Sequence, residues 1–277
     1  LSVHVHPDGT CFASGSSDRT IKLWNLQTHQ LIHTFEGHHN SVWNVRFSPN
    51  GEQLASGSLD YTVKLWDVQT GKLIKSLEGH TNMTWAAKFS PDGTRLASCS
   101  HDCTAKLWAL PSGQVLRSLP HAEPVWSVEF SRDGQHLATG CNDATVTLWN
   151  AETGALEYTL SGHGAAVQTV CFHPEGAILA TGSDDHTIKL WHLPTRTLYY
   201  TLTGHSNRVT SVTFSADGGL LASGSADETL KVWDVASGQC LQTYRADRPY
   251  EGMDITGATG LTDAQRLSLQ ALGAVAR

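Results

Sequence analysis

Short segments in which apolar and polar residues alternate recur along the chain up to about residue 245. Ile21-Lys22-Leu23-Trp24 is one of them, and Val63-Lys64-Leu65-Trp66 is another. Alternation with a period of two predicts β-strands that bury one face. Turn-forming sequences such as Pro49-Asn50-Gly51 separate the segments, because proline presets φ and glycine tolerates positive φ. The pattern therefore predicts many short strands joined by tight turns.

A longer repeat, marked by tryptophan, groups these segments. A period of about 40 to 45 residues is the size of one four-stranded blade, which cannot bury its faces alone and stacks on copies of itself. The sequence thus predicts an all-β fold, a β-propeller of four-stranded antiparallel blades with six repeats over residues 1–246. Whether the intact ring has six or seven blades stays open. The marker tryptophans, spaced by 42, 42, 41, 42 and 42 residues, are Trp24, Trp66, Trp108, Trp149, Trp191 and Trp233.

The repeat stops after Tyr244, and residues 247–277 form a different C-terminal tail. Thr262 and Gln265 fit a capping box, and Gly273 is a plausible helix stop. We therefore expect a helix at about 263–272, which is marginal alone and should dock on the propeller or on a partner. The apolar stripe of this helix comprises Ala264, Leu267, Ala271 and Leu272.

Composition narrows the class of protein. The net charge is -7 and lysine and arginine are spread thinly, so neither a nucleic-acid surface nor a membrane surface is expected. No apolar run approaches the roughly 20 residues of a membrane span. The six cysteines show no paired spacing, which favours reduced thiols and a cytoplasmic protein. Residue 1 is Leu, so we expect a piece of a longer polypeptide.

Each repeat from the second onward has a histidine nine residues before a phenylalanine, as in His38 and Phe47, and ends its third strand with the marker tryptophan. In these features the chain resembles the WD-repeat β-propeller family. The resemblance implies a buried hydrogen-bonded tetrad of His, Ser or Thr, Asp and Trp in each blade. The first repeat keeps Ser14, Asp18 and Trp24 but has no such histidine. The implied tetrads are His38, Ser56, Asp60 and Trp66; His80, Ser98, Asp102 and Trp108; His121, Thr139, Asp143 and Trp149; His163, Thr181, Asp185 and Trp191; and His205, Ser223, Asp227 and Trp233.

The recurring Ser, His and Asp contain the ingredients of a hydrolase triad. An active site occurs once, however, whereas this set is duplicated, so we interpret it as structural and expect no catalytic residue and no enzyme activity. The chain has no phosphate-binding loop, so no nucleotide or other cofactor is expected. Cys99, His101 and Cys103 lack a fourth ligand, so we expect no metal site.

Binding chemistry is expected where the repeats differ. Trp43, Trp85 and Trp126 lie four residues before the phenylalanine of three consecutive repeats. Val42 and Val45 are three residues apart, so a β-bulge between them is expected to redirect Trp43 towards the rim or the channel. We predict that the three indoles form a partner-binding patch, and the alternative is that they fill gaps between blades. The residues expected to extend the patch are Leu59, Met83 and His101.

The tail sequence from Arg248 to Gly257, followed by residues 260–265 and 272–274, resembles the C-terminal end of bacterial regulators that join a NACHT or NB-ARC ATPase to WD repeats. The expected function is therefore a non-catalytic propeller that binds a protein or peptide on one face and serves as the sensor of a signal-transducing ATPase. A constitutive interaction scaffold is the alternative, and a propeller enzyme with a site at the channel rim is the third interpretation. The ligand and the oligomeric state stay open.

Overall fold

A computed structural model describes residues 1–246, 253–271 and 274–276 of the chain. The described residues form six four-stranded antiparallel sheets and one α-helix, so the predicted propeller of four-stranded blades with a short C-terminal helix is confirmed. In every sheet the strands pair in chain order.

The strands are grouped by blade. Blade 1 contains β1 (Ser2–Val5), β2 (Cys11–Gly15), β3 (Ile21–Asn25) and β4 (Leu31–Phe35); blade 2 contains β5 (Val42–Phe47), β6 (Gln53–Ser58), β7 (Val63–Asp67) and β8 (Leu73–Leu77); blade 3 contains β9 (Thr84–Phe89), β10 (Arg95–Ser100), β11 (Thr104–Ala109) and β12 (Val115–Pro120). Blade 4 contains β13 (Val125–Phe130), β14 (His136–Cys141), β15 (Thr145–Asn150) and β16 (Leu156–Ser161); blade 5 contains β17 (Val167–Phe172), β18 (Ile178–Ser183), β19 (Ile188–His192) and β20 (Thr197–Leu202); blade 6 contains β21 (Val209–Phe214), β22 (Leu220–Ser225), β23 (Thr229–Asp234) and β24 (Cys240–Arg245).

The first strand of each blade lines a central channel, and its alternate residues pack between blades. In blade 2, Val45 and Phe47 pack on blade 1, whereas Asn44 and Arg46 line the channel. The Asn44 side chain also accepts a hydrogen bond of 3.2 Å from the backbone N–H of Ala87 in the next blade. Channel-facing polar residues therefore help to bind one blade to the next.

The apolar core lies between consecutive blades rather than within any one of them. Each interface joins the back of one blade to the front of the next, and burial of such faces is the main favourable term in stacked repeats. The cluster between blades 1 and 2 shows the common composition: Cys11, Ala13, Ile21, Leu23 and Phe35 from blade 1, with Val42, Val45, Phe47, Leu54 and Trp66 from blade 2.

The outward faces of the first and last blades differ from these internal interfaces. Val3 is 59% exposed, although its equivalent Val45 is 0% exposed. In blade 6, Leu230 and Tyr244 are 61% and 56% exposed, although their blade 1 equivalents Ile21 and Phe35 are buried. Blades 1 and 6 therefore do not cover each other's apolar faces as the five internal pairs do.

The C-terminal helix α1 spans Asp263–Ala271. The backbone N–H of Gln265 donates to Thr262 Oγ1 at 3.2 Å, and the backbone N–H of Thr262 donates to Gln265 Oε1 at 2.9 Å, which is a reciprocal capping box. Leu272 and Gly273, the predicted end of the helix, lie outside the described residues, as do residues 247–252 of the tail. Within the described part of the chain, no helix is both long and apolar enough to cross a membrane.

The exposed end faces predict uneven stability along the propeller. Because neighbouring blades stabilise each other, amide hydrogen exchange should be faster in blades 1 and 6 than in blades 3 and 4. Mass spectrometry of exchange in native buffer measures this, with the same peptides in denaturant as the control for intrinsic rates. Slower exchange in β2 and β3 than in β10 and β14 would contradict the prediction.

Candidate functional site at the mouth of the central channel

The tetrads of blades 2, 3, 5 and 6 share one hydrogen-bond geometry. In blade 2, the Nδ1 atom of His38 lies 2.8 Å from Asp60 Oδ2, and its Nε2 atom lies 2.7 Å from Ser56 Oγ. Trp66 Nε1–H donates to the same Ser56 oxygen at 2.8 Å. Equivalent bonds, all of 2.7 to 2.9 Å, are made around His80, His163 and His205.

The tetrad aspartate also builds the turn that precedes the third strand. Asp60 Oδ1 accepts hydrogen bonds from the Thr62 backbone N–H at 3.0 Å and from its hydroxyl at 2.7 Å. These bonds hold Tyr61 between them at a φ of 74°, a left-handed conformation that costs free energy for a residue other than glycine. The carboxylate therefore links the imidazole to a strained turn.

Burial and hydrogen bonding set the ionisation of the tetrads. Burial would raise the pKa of the Asp60 carboxyl, but hydrogen bonds from His38 and Thr62 outweigh it and hold that pKa well below its usual range. Burial lowers the pKa of His38, and the bond to Asp60 offsets only part of that effect. Ser56 is fully buried, so its hydroxyl cannot reach a substrate. The arrangement suits a structural role and not acyl transfer.

The implied tetrad is wrong for His121 in blade 4. Trp149 Nε1–H donates to Thr139 Oγ1 at 2.9 Å, but His121 Nε2 is buried without a hydrogen-bond partner in the described part of the chain. Pro120 replaces the glycine that precedes each of the other tetrad histidines, where φ lies between 140° and 155°. Proline fixes φ near −65°, so the backbone cannot place this imidazole between Thr139 and Asp143.

A β-bulge marks the start of the first strand in blades 2 to 6. In blade 2, Val42 pairs with Ser58 and Asn44 pairs with Gly57, so Trp43 is the extra residue and the predicted bulge is confirmed. The extra residue of a bulge leaves the alternating pattern, so it is free to point along the channel rim. The residues at this position in blades 2 to 6 are Trp43, Trp85, Trp126, Gln168 and Thr210.

The three indoles at the bulges form a continuous aromatic cluster at the channel mouth. The ring centroids of Trp43 and Trp85 are 5.4 Å apart, and those of Trp85 and Trp126 are 4.6 Å apart. Trp43 is 37% exposed and the other two are half-buried, whereas the tetrad indole of Trp66 is only 1% exposed. Trp85 also packs against the apolar core between blades 3 and 4. The cluster is therefore accessible from the channel, although its centre rests on core residues.

Of the other three residues predicted to extend the patch, only His101 lies in the aromatic cluster. The His101 ring lies 6.4 Å from Trp85 and 6.0 Å from Trp126, so it belongs to the cluster. Leu59 and Met83 are half-buried and do not line the channel mouth. The Nε1 atom of Trp85 and the Nδ1 atom of His101 are buried and have no hydrogen-bond partner in the described residues. What these residues bind stays a prediction.

Sequence reasoning missed the charged wall of the channel below the aromatic cluster. Arg46, Lys88 and Glu129 occupy one position, directly before the phenylalanine of their blades, and the Lys88 ammonium is ion-paired with the Glu129 carboxylate. Burial, followed by the nearby charges of Arg46 and Lys88, lowers the pKa of His4 to about 3, so this ring stays neutral. Period-two alternation along the first strands was the signal that could have found these residues.

Metal chemistry finds no support among the residues described. No three His, Cys, Asp or Glu side chains in residues 1–246, 253–271 and 274–276 are grouped to hold an ion. Cys99 is fully buried, and burial raises the pKa of its thiol to about 12, so it is a poor ligand.

Repeated blades, tetrads and a shared channel define a propeller built of WD repeats. The family model described as "Echinoderm microtubule-associated protein second beta-propeller" matches residues 84–251, which is more than half of the chain. The model "WD domain, G-beta repeat" matches residues 1–25 and 29–67. The chain therefore belongs to the WD-repeat β-propeller family that these two models describe.

Individual segments of the chain are similar to known WD-repeat proteins. One segment of 46 residues is 48% identical to Transducin beta-like protein 3 of Mus musculus, covering 17% of this chain and 6% of that protein. Another alignment, of 47 residues, is 40% identical to Dynein assembly factor with WD repeat domains 1 of Homo sapiens, covering 17% of this chain and 11% of that protein. The alignments thus span about a tenth or less of these relatives, so the functions of whole relatives do not follow for this chain.

The tetrads predict a difference between two histidines. Changing His163 to Ala removes bonds to Thr181 and Asp185 and should lower the free energy of unfolding by about 1 to 3 kcal/mol. The matched control is His121→Ala, which removes an imidazole without those bonds and should cost less. Urea unfolding at pH 7.5 measures the free energy of unfolding of both variants. An equal decrease in the two variants would argue against the hydrogen-bond network around His163.

The buried histidines predict loss of stability in mild acid. Burial lowers the pKa of His163 in the folded chain, whereas an unfolded histidine titrates near 6.5. Below about pH 6.5 the unfolded state therefore takes up protons that the folded state does not, and the free energy of unfolding should fall as pH drops from 7 to 5. His163→Gln should flatten this dependence in urea unfolding, and the exposed His39→Gln should leave it unchanged. Stability that rises towards pH 5 would contradict this account.

Proposed function

We propose that this chain is a non-catalytic binding module that holds a peptide segment of a partner protein at the channel mouth. Trp43, Trp85 and Trp126 carry the binding. Large, rigid, amphipathic indoles are typical interface anchors, because they contribute much contact area and lose little conformational entropy. Their accessibility, in contrast with the buried tetrad indoles, is the observation on which the proposal depends.

Polar atoms in the same cluster support a peptide rather than an apolar small molecule. The unpartnered N–H of Trp85 is a hydrogen-bond donor, and a buried donor without a partner costs free energy. The Trp126 N–H already donates to Asn142 Oδ1 at 3.2 Å. A small rotation of the Trp85 ring on ligand binding would present its N–H to a backbone carbonyl of the peptide. The cluster thus combines an apolar contact surface with an N–H group, that of Trp85, which has no hydrogen-bond partner in the described residues.

The names of the similar proteins agree with an interaction role. They include an assembly factor and a microtubule-associated protein, and neither name describes a catalyst. The proposal also holds that the chain has no active site of its own, binds neither nucleic acid nor membrane, and acts in the cytoplasm. The net charge of -7 and the unpaired spacing of the six cysteines support this part of the proposal.

The role of the propeller in a larger protein is a further part of the proposal. The resemblance of the tail to regulators with a NACHT or NB-ARC ATPase supports a sensor whose peptide binding shifts the population of an attached ATPase between inactive and active states. The alternative is an interaction scaffold without a switch. Ligand-dependent nucleotide hydrolysis by the intact polypeptide distinguishes the two roles, because a scaffold leaves hydrolysis unchanged.

A displayed peptide library tests the binding role. Peptides selected on the wild-type chain should bind Trp43→Ala and Trp126→Ala about 5- to 30-fold more weakly, equivalent to about 1 to 2 kcal/mol. Circular dichroism should show unchanged folding, because neither side chain is fully buried. Isothermal titration gives the affinities.

The matched control is Tyr61→Ala, which removes another exposed aromatic ring outside the cluster. It should leave peptide affinity unchanged. Selected peptides that bind both tryptophan variants as tightly as the wild type would show that the cluster is not the binding site.

A further inference from the structure

In blades 2, 4 and 6, the turn after the first strand presents a glycine carbonyl that accepts a hydrogen bond from a side chain of the preceding blade. At the interface of blades 3 and 4, the Arg95 guanidinium donates to Gly134 O and to Ala151 O, both at 2.9 Å. It also lies 5.7 Å above the centroid of the Phe130 ring. This one side chain therefore fills the groove between two blades with two hydrogen bonds and a cation–π contact.

Two other interfaces satisfy the equivalent carbonyl with histidine. His6 Nε2 lies 3.0 Å from Gly51 O between blades 1 and 2, and His173 Nε2 lies 3.1 Å from Gly218 O between blades 5 and 6. A donor reaching from one blade to this carbonyl of the next is thus a recurring device of the fold.

The groove between blades 4 and 5 contains neither device. His136 starts β14 as Arg95 starts β10, but its shorter side chain turns aside, and its Nδ1 atom lies 3.0 Å from Glu157 Oε2. Ser131 occupies the position that is histidine at residues 6 and 173. Within the described residues, Gly176 O accepts none of the hydrogen bonds that its counterparts accept.

An open cavity of about 560 Å³ lies where the Arg95 side chain lies one blade earlier. Its lining includes Phe172, Gly176 and Leu193, which are the blade 5 equivalents of the three residues that hold Arg95. The ring and the two carbonyl-bearing residues that hold Arg95 therefore have counterparts in this groove, although Leu193 O already accepts a hydrogen bond of 3.2 Å from the backbone N–H of Arg196. The arginine that would fill the groove from within is replaced by His136.

The charges of the groove favour a cation. Three carboxylates line it, those of Asp133, Glu157 and Glu175. Two exposed arginines lie at the rim: Arg132 donates to Pro174 O at 3.3 Å, and the Arg196 guanidinium lies 4.5 Å from the centroid of the Tyr158 ring, which lines the groove. Apolar walls beside carboxylates suit the aliphatic stem and planar head of arginine better than a compact ammonium group.

We propose that the groove between blades 4 and 5 binds an arginine side chain of a partner polypeptide. The guanidinium takes the place that Arg95 takes one blade earlier, over the Phe172 ring and against the carbonyls of Gly176 and Leu193. The first strands run from the aromatic cluster at the channel mouth to these turns, so the groove lies at the opposite end of the blades. This site is therefore separate from the peptide site proposed above.

Three short peptides test the site: acetyl-Gly-Arg-Gly-amide, its lysine counterpart and its citrulline counterpart, which keeps the shape of arginine without the charge. Two-dimensional NMR of the full chain should show saturable shifts of the Gly176 and Phe172 amides with the arginine peptide, with a dissociation constant of about 1 mM. The lysine and citrulline peptides should bind at least about fivefold more weakly. Equal binding of all three peptides, or no saturable shift, would overturn the proposal.

Two variants locate the binding. His136→Arg restores the residue found in blade 3, so it should fill the groove from within, weaken the arginine peptide at least about tenfold and raise the melting temperature. Unchanged affinity in this variant would refute the site. Glu175→Gln changes an exposed residue, so it should fold normally, and it decides the matter if His136→Arg does not fold. If Glu175→Gln binds the arginine peptide about threefold more weakly than the wild type, the proposal is supported. If its affinity for that peptide is unchanged, the proposal is overturned.

Discussion

Burial of apolar faces between consecutive blades is the interaction on which the rest of the structure depends. A four-stranded sheet with two apolar faces has no stable state alone in water, because each uncovered face leaves apolar area exposed. Stacking covers both faces of every internal blade, and it accounts for the near-constant repeat length, the valines of the first strands and the fully buried leucines of the third. The same requirement makes the uncovered faces of blades 1 and 6 the weak points of the propeller.

Positions used for stacking are unavailable for chemistry. The polar tetrads illustrate this, because their hydroxyl residue (serine, or threonine in blade 5) and their histidine resemble catalytic residues but are buried and hydrogen-bonded in four blades. They connect the third strand, the loop before the blade and a strained turn, so they hold the blade's edge in one conformation. Two kinds of position remain available for binding. One is the extra residue at each β-bulge, whose side chain does not pack between blades, and the other is the open end of a groove between two blades.

Small differences between repeats therefore produce the distinct surfaces of this protein. Tryptophan at three adjacent bulges, followed by Gln168 and Thr210, makes the channel mouth aromatic on one side and polar on the other. Histidine instead of arginine at residue 136 leaves one groove open, although the groove before it is filled. Proline instead of glycine before His121 removes one imidazole from its network. Each change affects one position per blade, and the surrounding blades keep their architecture.

The sequence pattern alone predicted the strands, the blades, the bulge at Trp43 and the capped helix at Asp263. These features depend on the alternation of apolar and polar residues, on turn residues and on helix caps, each of which involves only a few neighbouring residues. The resemblance to WD repeats added the tetrads, and only the backbone of the Pro120 turn showed that His121 stands outside its set. The stacking of Trp43, Trp85 and Trp126, the channel charges around Arg46 and the groove beside His136 depend on distances between residues some 40 or more positions apart in the chain. Those distances are set by how neighbouring blades pack and turn relative to each other, which no short stretch of sequence encodes.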